Sequence, residues 1–80
     1  MVERETLSRG NDPLIELDAN RSIVIAGRCT ITLYSETEMR VQCGRLTICV
    51  GGDGLELRTL DENELSIGGQ IAEVSFLSGA

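Results

Sequence analysis

Glycines beside an acid, clustered carboxylates and three cysteines are the residue types in this 80-residue chain that could do chemistry. The stretch GGDG, Gly51 to Gly54, has the composition of a phosphate cradle, a calcium turn or a plain chain connection. A phosphate cradle works by leading into a helix whose N-terminus meets the anion. Here GGDG leads into LELRTL, an alternating strand-like run, and the chain contains no lysine to reach a phosphate. The calcium-binding nonapeptide GGxGxDxUx begins in the same way. In this chain Glu56 stands where the aspartate is needed, Arg58 stands where an apolar residue is needed, and the motif is single. GGDG is therefore expected to join the strands Leu46–Val50 and Leu55–Thr59, its glycines supplying positive φ and Asp53 bonding to the local backbone.

The remaining candidates are weaker. Glu36 pairs with Glu38, and Asp61 with Glu62 and Glu64, along the sequence. Acid–base catalysis needs two carboxylates in different environments, whereas these acids fall in turn-like segments. There is no histidine to serve as the base for a Cys or Ser nucleophile. Cys29, Cys43 and Cys49 are odd in number, which speaks against a disulfide framework. Five residues separate Cys43 from Cys49, unlike a zinc knuckle, and no fourth soft ligand exists. The cysteines read as small buried or half-buried side chains. The expectation is a protein that is not an enzyme and carries no cofactor or metal.

The elements that would position these residues are strands. Apolar residues recur with period two at Ile15 and Leu17, Ile23 and Ile25, Cys29, Ile31 and Leu33, and Met39, Val41 and Cys43. The pattern continues at Leu46, Ile48 and Val50, Leu55 and Leu57, Leu65 and Ile67, and Val74 and Phe76. These residues should face one core, with Arg40, Gln42, Arg45, Thr47, Glu56 and Glu64 facing out. That phase turns Cys29 and Cys43 inward and Cys49 outward. DANR, AGR, SETE, CG, GGDG, DENE and GGQ lie between the runs as turn chemistry. Ser35 could cap a helix at SETEM, but the space before the next strand is too short for one. GRCTITLY and GRLTICV echo each other, as do LDANRSIVIAG and LDENELSIGG, a loose hint of a stacked repeat.

Composition bounds the rest. Eighty residues make one domain with a thin core, and with aromatics only at Tyr34 and Phe76 that core must come from Ile, Leu and Val. The net charge of −6, with seven scattered arginines, argues against nucleic acid and against an anionic membrane surface. No apolar run approaches the ~18 residues of a membrane span. The charged start MVERETLSRGND lacks the apolar centre of a signal peptide, so the chain is expected in the cytoplasm, reaching a membrane only through a partner.

The ordered residues resemble the YabP/YqfC family of sporulation proteins. The resemblance rests on Ile25-Ala26-Gly27, Leu33-Tyr34-Ser35-Glu36, Met39-Arg40-Val41, and Gly44 through Ile48. It continues through Leu55-Glu56-Leu57-Arg58, Leu65 through Ile71, and Val74-Ser75-Phe76, covering roughly residues 13 to 77. YSETEMRV and ELSIGGQIAEVSFL look closest to the YqfC-like branch, while ICVGGDGL looks longer than the usual link between the central strands. The resemblance implies a non-enzymatic protein made in the mother cell of an endospore former, acting in spore envelope formation. It also implies a neighbouring YqfD-like membrane protein as partner, and it supplies no catalytic or ligand residues.

The fold expected is all-β, a small roll, solenoid or sandwich of about seven to eight short strands over residues 13–78, without substantial helix. Residues 1–12 read as a flexible tail. The function expected is an interaction and assembly module, a homo-oligomer or a complex with the membrane partner, using strand edges and a partly apolar outer face. Ile15, Val24, Cys49 and Leu77 are the candidate interface residues. The alternative is a small ligand- or metal-binding module, which would need the acidic turns near Asp53 and Asp61 to converge.

Overall fold

The structure, a computed structural model, describes residues 12–78, so the tail expected over residues 1–12 lies, apart from Asp12, outside the described residues. The fold is all-β. Six antiparallel strands form one sheet: β1 (Leu14–Asp18), β2 (Ser22–Ala26), β3 (Thr30–Tyr34), β4 (Glu38–Cys43), β5 (Leu46–Leu60) and β6 (Glu64–Ser78). Their order across the sheet is β1-β2-β6-β5-β4-β3. The eight alternating runs are all present, but two pairs of runs fuse. Leu46–Val50 and Leu55–Leu57 are two halves of β5, and Leu65–Ile67 and Val74–Phe76 are two halves of β6.

Each fusion passes through glycines that bend the strand rather than reverse it. The β5–β6 register shifts between Gly51 and Gly52, between Asp53 and Glu56, and between Leu57 and Thr59. Such bulges bend a strand and increase its twist. Gly52 and Gln70 approach so closely at the bend that a Cβ on Gly52 would overlap the Gln70 carbonyl oxygen. Within GGDG only Gly54 takes positive φ, at 61°, while across from it Gly69 sits at 130°. The hairpin turns pin the bend from either side. Gly52 and Leu55 donate their N–H groups to the carbonyls of Thr37 and Glu36, at 3.0 and 2.9 Å. Gly69 and Ile71 donate to the carbonyls of Arg21 and Asn20, at 3.2 and 2.8 Å.

The bend divides the sheet into two halves. One comprises β1, β2, the start of β6 and the end of β5; the other comprises β3, β4, the start of β5 and the end of β6. Ile23, Ile25 and Ile67 from the first and Met39, Val41, Ile48 and Val50 from the second are all 0% exposed and belong to one cluster. Residues on one face of a single sheet reach that burial only when the sheet curls over itself. Burying each such side chain contributes about 1.5–3 kcal/mol, so the curl is where this small domain finds its stability.

The turns follow from local chemistry. Gly44, at φ 66°, takes the first position of the two-residue link between Cys43 and Leu46. Ser35 caps no helix; its Oγ accepts the N–H groups of Thr37 and Glu38 at 3.2 and 2.9 Å and holds the β3–β4 turn. Asp61 Oδ1 accepts the Asn63 N–H at 2.9 Å in the β5–β6 turn. The LDAN and LDEN echo therefore marks two hairpin turns and no stacked repeat. Ala19 is the one non-glycine residue with positive φ among the described residues, at 50° in the β1–β2 turn.

Two expectations are corrected. Leu33 does not face the core: the register shifts between Ile31 and Leu33, so Leu33 lies opposite outward-facing Arg40 and Tyr34 opposite buried Met39. Cys29 and Cys43 form a disulfide, with Sγ atoms 2.12 Å and Cα atoms 4.3 Å apart. Thr30 pairs with Gln42, so the next position sets Cys29 against Cys43 across the strands on the core side. The odd cysteine is Cys49 alone, half-buried on the outer face.

Candidate interaction surface

The four candidate residues do not form one patch. Ile15 pairs with buried Ile25 and packs against the core, so it lies on the inner side of the sheet. Val24 is on the outer face of the first half, half-buried between Glu16 and Ser66. Cys49 is on the outer face of the second half between Arg40 and Ser75. Leu77, opposite Thr47, is a diagonal neighbour of Cys49 on that face and is exposed. Only Cys49 and Leu77 therefore share a surface.

The expectation that strand edges serve the interaction names no strand, because an edge exists only once strand order is known. Among the described residues β1 has a strand on one side only, and so has β3. The bend opens two more edges. Among the described residues β4 pairs with β5 only as far as Gly51, so past the Leu55 N–H bond to Glu36 the end of β5 is free on that side. β2 pairs with β6 only over Glu64–Gly68, so past the Ile71 N–H bond to the β1–β2 turn the end of β6 is free as well. Each open edge carries one large apolar side chain on the core-facing side that stays more than half exposed: Leu17, Tyr34, Leu60 and Phe76. An open strand edge is a template for another strand, and apolar side chains beside it supply the packing that main-chain pairing alone lacks.

An open hollow of about 550 Å³ lies over the bend, between Asn20 and Thr37 of the two turns, above Gly51 and Gly52, with Asp53 and Glu73 on its rim. Asp53 and Asp61 do not converge, since the second half of β5 runs between them and Asp61 sits at the hairpin tip. Among the described residues no group of three or more His, Cys, Asp or Glu is placed to hold a metal ion. The ion pairs Arg40–Glu38, at 3.1 Å, and Arg58–Glu56, at 3.4 Å, are exposed. Pairs of this kind add little to stability; they keep the outer face charged and solvated. No helix of the described residues is long and apolar enough to cross a membrane.

Neither a curated protein nor a solved structure matches the chain. The model of the YabP family matches residues 11–80. That match takes in all six strands, the bend and every open edge, and by it the chain belongs to the YabP family, a family associated with sporulation.

Proposed function

We propose that this protein is a non-enzymatic interaction and assembly module of sporulation, belonging to the YqfC-like branch and acting in spore envelope formation. It works by strand addition at its open edges, with further copies of itself or with a YqfD-like membrane protein in the mother cell. The observation that carries the reading is the set of four open edges among the described residues, each with a half-exposed apolar side chain on the core-facing side. A domain whose only task was to fold would gain by covering them, since such edges invite pairing. The second observation is that Val24 and Cys49 are half-buried on the outer face between polar neighbours, Glu16 and Ser66 for the one and Arg40 and Ser75 for the other.

The test is co-purification of the full chain with the membrane protein encoded beside it from sporulating cells, with mass measurement of the complex. A stable complex that is lost when an edge residue is replaced by lysine is the expected result. A chain that stays monomeric across concentration and retrieves no partner refutes the proposal.

A further inference from the structure

The four open edges differ in what guards them. Natural proteins protect an edge with charge, proline, a bulge or shortness. β1 is five residues long, follows Pro13 and carries Glu16 and Asp18. β3 is as free of charge and proline as the end of β6, but its register with β4 shifts between Ile31 and Leu33. The free half of β5 carries Glu56 and Arg58, with a shift between Leu57 and Thr59. The free half of β6 is different. Past Glu73 it runs Val74-Ser75-Phe76-Leu77-Ser78 with no charge and no proline, and its register with β5 is unbroken from Leu46 opposite Ser78 to Gly51 opposite Glu73. In a chain of net charge −6 this is the neutral, regular edge.

We propose that this edge binds the same edge of a second copy of the chain, antiparallel, about a twofold axis at Ser75. The proposal rests on the edge-pairing reading above and names its occupant. A twofold axis perpendicular to the sheet keeps like faces together, so the paired residue numbers must sum to an even value. With Ser75 opposite Ser75, Val74 meets Phe76 of the second copy twice on the core-facing side. Glu73 meets Leu77 on the outer side, and the two Glu73 carboxylates stay apart. A slip of one residue would set the core-facing side of one copy against the outer side of the other. The pairing covers Phe76 and Leu77, which are 52% and 57% exposed in the single chain. A basic partner has nothing to read at these five neutral residues, whereas a second copy of an acidic chain can approach here with least repulsion.

The experiment is sedimentation equilibrium of the full chain across concentration and salt, for the wild type and two variants at the axis. Ser75 is exposed on the outer face opposite Cys49, so its replacement leaves the core alone. Wild type is expected to show a monomer–dimer equilibrium that tightens as salt screens two like-charged chains. Ser75→Lys and Ser75→Glu each place like charges directly opposite one another and should each weaken the dimer about fivefold. Mixing the two variants should restore it as a heterodimer. The proposal is overturned by a monomeric wild type, by variants that dimerise like the wild type, or by a mixture that fails to recover. It is also overturned if deletion of residues 1–11 converts a monomer to a dimer, since the chain's own N-terminus would then occupy the edge. A monomer that still retrieves a partner from cells removes this inference and leaves the interaction module standing; a monomer that retrieves none removes both.

Discussion

Alanine substitution of three glycines at the bend should separate backbone crowding from mere side-chain contact. A Cβ at Gly52 would overlap the Gln70 carbonyl oxygen and press on the Ile71 Cα at 3.1 Å. Both obstacles are backbone of the neighbouring strand, so neither can rotate away, and overpacking of this kind costs about 1–3 kcal/mol, here at the upper end. Gly69 adds a second penalty. Its Cβ would lie 2.5 Å from the Gly54 carbonyl oxygen, and its φ of 130° is one that L side chains rarely adopt. Strain of about 1–3 kcal/mol on top of crowding of about 1–3 kcal/mol gives about 2–6 kcal/mol for Gly69→Ala. Gly68 is the control. The atoms nearest to a Cβ there belong to the guanidinium end of Arg58, a flexible side chain that can swing aside. Gly68→Ala should be near neutral, aided by the smaller unfolded-state entropy of alanine, worth about 0.4–1 kcal/mol. An 80-residue domain has about 4–12 kcal/mol to lose, so Gly69→Ala removes a large share of it. The assay is urea unfolding followed by circular dichroism, with unchanged slopes. Equal losses at all three positions, or the largest loss at Gly68, would refute the description of the bend as two backbones in contact.

Three further outcomes follow from burial and backbone geometry. Under denaturing conditions without reductant a thiol assay should find one free thiol, Cys49, and reduction should lower stability by about 3 kcal/mol for a loop of about fifteen residues; three free thiols in the oxidised protein would contradict the pairing. Ile25→Ala, at a fully buried site, should cost about 2–5 kcal/mol, while Leu60→Ala, at a residue 59% exposed, should cost about 1 kcal/mol or less in urea unfolding. Ala19→Gly should leave stability unchanged or raise its thermal midpoint, because glycine relieves a φ of 50° whose strain is about 1–2 kcal/mol; a clear loss would show that Ala19 is not strained.

The alternation of Ile23 with Ile25 and of Leu46, Ile48 and Val50 made the strands and their inward faces legible, because period two follows from the pleat alone. GGDG and GGQ read as connections between strands because glycine clusters promise turns locally. Whether such a cluster reverses a chain or bends it depends on what the neighbouring strand does at the same height, and Gly52 against Gln70 is a matter of pairing. The same holds for Leu33: one bulged residue inverted the phase, and nothing in TITLY announces it. The disulfide was missed because counting cysteines ignores register, whereas Thr30 opposite Gln42 sets Cys29 against Cys43 at once. The inward phase assigned to those two cysteines was the usable signal. The use of strand edges was foreseeable, but which edges are open was not, since strand order decides that.

The pairing of β2 with β6 also governs when the protein can fold. β3, β4 and β5 are joined by tight turns and can pair as soon as each has formed. Ile23, by contrast, waits for Ile67, and Ser22 for Gly68, near the other end of the chain. On a ribosome the β1–β2 hairpin therefore emerges before its partner and is completed only after β5 has turned back as β6. Contacts so distant in sequence slow folding, and for that interval the apolar faces of Ile23 and Ile25 are exposed in a newborn chain. A sheet whose second strand pairs with its sixth cannot assemble in the order in which its strands are made.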